Sequence, residues 1–109
     1  MFVGVARLIF HIPAARSLKD KRAAVRSFKD RIQARFKVSI AEVADLDLLQ
    51  RATLGVAVVS NEAAVCDEQL AAVASAASVH PEAVLADFST EILPFGEGGR
   101  GLSWSPRSP

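Results

Sequence analysis

The chain has 109 residues, a formal net charge of +1 and a single Cys, and half of its residues are hydrophobic, 19 of them Ala. That suffices for one domain with one modest core, and one Cys excludes both an intrachain disulfide framework and a Cys-based zinc site. The longest charge-free stretch, Gln69–Pro81, is shorter than the roughly 20 apolar residues of a membrane span, and Arg7 interrupts the apolar opening that would otherwise resemble a signal peptide, so a cytoplasmic protein is expected.

Phe2–Ile12 reads as a strand. Phe2, Gly4, Ala6, Leu8, Phe10 and Ile12 share one apolar or small face, which is assigned to the core, and Val3, Val5, Arg7, Ile9 and His11 share the other. Pro13 ends it. Ser17 opens a helix, with Asp20 three residues later as a capping-box partner. Leu18, Val25, Phe28, Ile32 and Phe36 form its apolar stripe. Val38–Val43 alternates as a strand, Ala44–Gln50 is a leucine-rich acidic connection in which Asp47 could cap one helical turn, and Leu54–Val59 is a third strand. Asn61 is the expected N-cap of a second helix running toward Val79. Its stripe, Ala63, Cys66, Leu70, Val73 and Ala77, is small enough for close approach to a sheet, and His80-Pro81 stops it. Val84–Leu93 is the last strand, with Val84, Ala86, Phe88, Thr90 and Ile92 expected inward and Asp87, Ser89 and Glu91 outward. Ten of the 16 residues of Pro94–Pro109 are Gly, Pro or Ser, so this segment reads as a disordered tail behind a domain spanning residues 1–93.

The order β-α-β-β-α-β predicts an α+β, ferredoxin-like sandwich: a four-stranded antiparallel sheet with both helices on one face and the other face open. The runs Arg16-Ser17-Leu18-Lys19-Asp20-Lys21-Arg22, Arg35-Phe36-Lys37-Val38-Ser39-Ile40-Ala41-Glu42-Val43 and Asp47-Leu48-Leu49-Gln50-Arg51-Ala52, with the opening Phe2-Val3-Gly4-Val5, resemble the YlxP-like family, domain of unknown function 503, over about Met1–Leu93. The resemblance implies a ferredoxin-like fold in bacteria and an association with ribosomes or RNA, since such proteins are often encoded near translation-initiation and ribosome-maturation factors. It brings no catalytic residues. The chain departs from the family pattern at Leu49, where Trp is usual, and at Lys37, where Asn is usual.

The charge is polarised along the chain, +6 over residues 1–51 and −5 over residues 52–109, with +7 concentrated between Arg16 and Lys37. Such a block meets either an anion or only solvent. The candidate anion or nucleic-acid site comprises Arg16, Lys19, Lys21, Arg22, Arg26 and Lys29 on the first helix, joined by Gln50 and Arg51 in the connection, where Asp47 could orient Arg51. Lys19, Lys21 and Arg22 crowd the positive end of the helix dipole, a conflict that a bound anion would relieve. The open sheet face, with Val3, Val5, Arg7, Ile9, His11, Ala41, Val43 and Val59, is the candidate protein interface, Arg7 pairing with Asp87 or Glu91 across neighbouring strands.

No catalytic constellation is read. His11 and His80 lack metal-ligand spacing, Cys66 lies in an apolar stripe, and Gly96, Gly98, Gly99 and Gly101 follow no helix-opening phosphate-loop pattern. The central strands also lack the aromatics on which an RNA recognition motif stacks bases. The expectation is a small non-enzymatic protein, homodimeric, that binds RNA or a ribosomal surface through its first helix. It is expected to need no cofactor, metal or membrane. The alternative is an adaptor or homodimeric module that uses the open sheet face and has no nucleic-acid role.

Overall fold

The computed structural model describes residues 1–96 and contains β1 (Phe2–His11), α1 (Leu18–Arg35), β2 (Ser39–Ala44), β3 (Arg51–Ser60), α2 (Ala63–Ala77) and β4 (Val84–Pro94). The sheet order is β2-β3-β1-β4, antiparallel throughout. This is the ferredoxin-like arrangement that the element order predicts. Alternation in β1 buries Gly4, Ala6, Leu8 and Phe10, and alternation in β3 buries Ala52, Leu54, Val56 and Val58. These residues join Phe28 and Ile32 of α1 and Cys66, Leu70 and Val73 of α2 in one core, so both helices cover the same sheet face. Phe10 and Phe28 meet edge to face at 4.9 Å.

Ser17 caps α1 as expected: its Oγ accepts from the Asp20 N–H at 3.1 Å. The Asp20 carboxylate reaches back to the Arg16 N–H at 3.0 Å, one residue beyond the usual reciprocal partner. The small stripe of α2 does permit close approach. A Cβ on Gly4 would lie 3.0 Å from both Cys66 Cβ and Leu70 Cδ1.

Four local expectations are corrected. The N-cap of α2 is Glu62, without a side-chain bond, and the Ser60 Oγ accepts the Glu62 N–H at 3.1 Å, leaving Asn61 outside the helix. In β4 the register against β1 shifts between Ile9 and Phe10, from Asp87 to Leu85, so Ala86 is an inserted residue. That bulge turns Leu85 inward and leaves Val84 and Ala86 exposed. The connection after β2 is a turn closed by the Leu48 N–H on the Asp45 carbonyl at 3.1 Å, with Asp45 at φ +61°, rather than a helical turn capped by Asp47. Finally, β4 continues to Pro94 and the Phe95 N–H donates to the Met1 carbonyl at 2.8 Å, so the sheet extends past the expected boundary at Leu93. The rest of the expected tail, residues 97–109 with Trp104, lies outside the described residues.

Candidate nucleic-acid interface

Helical spacing distributes the basic residues of α1 into three groups. Ala24, Val25, Phe28 and Ile32 are buried and fix the inward side. Arg16 and Lys19 precede and open the helix, and Arg22, Arg26 and Lys29 follow along one flank; Lys29 is half-buried and the other four are exposed. Among the described residues, none of these five side chains has a carboxylate within 4.0 Å. Arg31 and Arg35 lie on the opposite flank, where with Phe28, Ile32 and Ala76 they line the crease between the two helices. The guanidinium of Arg35 also covers the ring of Phe36 at 5.1 Å.

Lys21 is not part of the exposed set, which corrects its assignment as an anion ligand. It occupies the apolar stripe with Val25, Phe28 and Ile32, and only 1% of its surface is exposed. Its Nζ lies 2.8 Å from the Glu42 Oε2 and donates to the Asp45 carbonyl. Glu42 points inward from β2 beside Ile40, and no donor meets this Oε2 with hydrogen-bond alignment, so the contact with Lys21 is an ion pair.

The connection is a brace built around two residues. Gln50 donates through Nε2 to the carbonyls of Pro13 and Ala15 at 3.2 and 3.3 Å, and its own carbonyl accepts from Ile12. Its amide N–H groups are therefore committed to the loop before α1 and do not await a ligand, a second correction. Arg51 begins β3 and donates from Nε to the Asp45 Oδ2 at 3.0 Å, so Asp45, not Asp47, orients it. The same oxygen accepts from the Thr53 Oγ1 at 2.6 Å. The Thr53 hydrogen bond, then Arg51, hold the Asp45 carboxyl below its ordinary pKa against an opposing desolvation effect. Arg51 keeps about half of its side chain exposed, at 53%.

On the open sheet face, Val3, Val5 and Ile9 are half-buried, while Arg7, His11, Val43 and Val59 are exposed. Arg7 pairs with Asp87 at 3.8 Å, as expected from the strand order. Val43 leans over Gly55, where an added Cβ would meet its Cγ1 at 3.1 Å. The sequence places Val3 and Val59 on this face but does not single out Leu93, which completes a row with them across β1, or the exposed Phe95 beyond it. The signal was the alternation of β4, which extends through Leu93.

Cys66 is buried, with its Sγ near the carbonyls of Phe2 and Val58. His80 is buried against Phe28; its Nδ1 accepts the Glu82 N–H at 3.0 Å, and burial, then Arg31, lowers its pKa. Among the described residues no group of three or more His, Cys, Asp or Glu is placed to hold a metal ion, and no helix is long and apolar enough to cross a membrane.

The model of a family described as "Protein of unknown function (DUF503)" matches residues 3–90. The chain belongs to the DUF503 family. A relative within reach of the same conclusion is "Uncharacterized protein YlxP" of Bacillus subtilis (strain 168), 35% identical over 80 residues, which cover 73% of this chain and 87% of that protein. The DUF503 match includes every residue of α1 and of the brace, so both features lie within the shared domain. Among solved structures, the chain is similar to a de novo designed protein with a ferredoxin fold determined by solution NMR. The likeness has a TM-score of 0.46 and 12% identity, and covers 99% of this chain and 95% of that one.

Proposed function

We propose that this DUF503 protein is a non-catalytic, cytoplasmic binding protein that engages RNA or the RNA surface of a ribosome through α1. The observation that carries this reading is the row Arg16, Lys19, Arg22, Arg26 and Lys29, five cationic side chains without an intramolecular carboxylate partner among the described residues. Charges placed this way neutralise phosphates and release counterions, which gives affinity with little sequence information. Arg51, held by Asp45 on the sheet face away from α1, stands outside this row. Lys21 and Gln50 support the site from behind, by holding the β2–β3 turn and the loop before α1.

The test is RNA binding and ribosome co-sedimentation across a salt series, with Arg22, Arg26 and Lys29 changed to Glu. Each lost phosphate contact should flatten the dependence of log affinity on log salt by about one unit. Unrelated RNA sequences should be affected alike. Changing Arg31 and Arg35 to Glu supplies the same kind of charge reversal on the other flank and should weaken binding less. Equal binding by parent and stripe variant at low salt rejects the reading. It would leave an adaptor acting through the open sheet face, a reading favoured by the exposed Val59 and Leu93.

A further inference from the structure

The sheet face turned away from the helices has a relief and a charge pattern unlike those of α1. At one end stands a cross-strand row, Val59–Val3–Leu93, fixed by the register of three adjacent strands. Val59 is 64% exposed and Leu93 41%, and Phe95, which prolongs the sheet through its bond to Met1, is 49% exposed. Exposed aliphatic and aromatic groups gathered in this way are uncommon on a surface that meets only water. Beyond this row the face flattens into Ala57, Gly55 and Ala41, with Arg7 standing beside Gly55.

Its cations are already paired within the chain, Arg7 with Asp87 and Arg51 with Asp45. With its cations neutralised from within and Glu91 left without an ion-pair partner among the described residues, this face offers little to nucleic acid or to an acidic protein and gains chiefly from apolar burial. We propose that this face is the interface for a second copy of the same chain.

The register selects how the copies meet. A two-fold axis perpendicular to the strands and through the middle of β1, where the faces overlap most, would set Arg7 on the partner's Arg7. An axis along the strands, between β1 and β3, sets β1 over the partner's β3 and β4 over the partner's β2. Val3 then meets the partner's Val59 and the reverse, as an isologous contact requires. Arg7 lies over the partner's Gly55, which carries no charge and is overhung by Val43 of the same copy, rather than over a second Arg7. Asp87 and Glu91 lie over β2, whose residues on this face, Ser39, Ala41 and Val43, carry no charge. Sheets packed in this aligned way stand about 10 Å apart. At about 4.8 Å between strands and 3.3 Å per residue, a face of four strands gives about 600 Å² per copy. Both copies together reach about 1,200 Å², the lower end of specific interfaces. The dimer is therefore expected to be reversible and concentration-dependent.

The experiment is sedimentation equilibrium or light scattering of the full chain, from micromolar to several hundred micromolar. The expected result is a rise from 11.6 kDa toward twice that mass. Val59→Glu and Leu93→Glu, each at an exposed position, should keep the parent circular dichroism and thermal melt yet remain at monomer mass throughout. The stripe variant of α1 should keep the parent's mass curve, which separates this proposal from the RNA-binding reading. A parent that is monomeric at every concentration overturns the proposal. A blue-shifted Trp104 emission in that monomer would assign the face to residues 97–109 instead. A dimer that survives both Glu substitutions places the contact elsewhere and also overturns it.

Discussion

Lys21 shows how a single side chain decides between surface and scaffold. Its ammonium is out of water, beside Glu42 and the Asp45 carbonyl, so removing either ion leaves the other buried without compensation. Lys21→Met should therefore cost about 3 kcal/mol of stability, in line with losses from broken buried pairs. The double variant Lys21→Met with Glu42→Leu should cost less than Lys21→Met alone, as read by urea denaturation. Both partners were legible in the sequence. Lys21 precedes Val25, Phe28 and Ile32 by four, seven and eleven positions, and Glu42 shares the inward side of β2 with Ile40, so opposite charges fall on two facing apolar surfaces. Counting Lys21 with its basic neighbours by proximity along the chain overlooked that periodicity.

His80 gives a pH signature at the same scale. Its folded pKa lies below the ordinary value of 6.5 because burial disfavours the imidazolium and Arg31 adds repulsion. The unfolded chain then binds the proton more readily, so His80's contribution is present above pH 6.5 and is lost as pH falls below it. Asp45, also lowered, acts in the separate window below its ordinary 3.8, where protonation weakens the contacts with Thr53 and Arg51. Melting temperatures between pH 7.5 and 5 should fall for the parent. They should fall less for His80→Asn, whose amide oxygen can still accept the Glu82 N–H.

At the scale of elements, the seat of α2 on β1 depends on what Gly4 lacks. Cys66 Cβ belongs to the helix frame and cannot swing aside, so a methyl at Gly4 must move the helix outward by a few tenths of an ångström. Gly4→Ala should destabilise by about 1–3 kcal/mol, the usual range for overpacking a filled core, measured as a shift in the denaturation midpoint without a change in slope. A small-residue stripe opposite a strand glycine is a pattern that sequence displays directly, as are the Ser17–Asp20 cap and the β-α-β-β-α-β order. The bulge at Ala86 is not. Alternation through Val84–Leu93 is satisfied by two phases, and the pairing of Leu85 with Phe10 across the strand selects the one observed. The start of α2 has the same character: Asn61 is a good cap by composition, but the Ser60 hydroxyl takes the Glu62 N–H and the helix begins one residue later.

At the scale of the whole molecule, the two proposed surfaces lie on opposite sides of one sheet, and this fixes how they combine. In the dimer each sheet has its helices on the outside. With about 10 Å between sheets and a helix layer about 10 Å thick on either side, the two α1 stripes stand about 30 Å apart and face away from each other. A short RNA duplex can therefore lie against one stripe but not both, and two copies should bind two such duplexes without avidity. The expected result is one short duplex per chain in sedimentation, with the same salt slope for the parent and for Val59→Glu. The α1 stripe variant should lose up to about three units of that slope while keeping the parent's mass. A slope roughly halved by Val59→Glu would mean that both stripes grip one RNA, which the back-to-back arrangement forbids. The interface would then have to bring the helices to the same side, as pairing along an edge strand does.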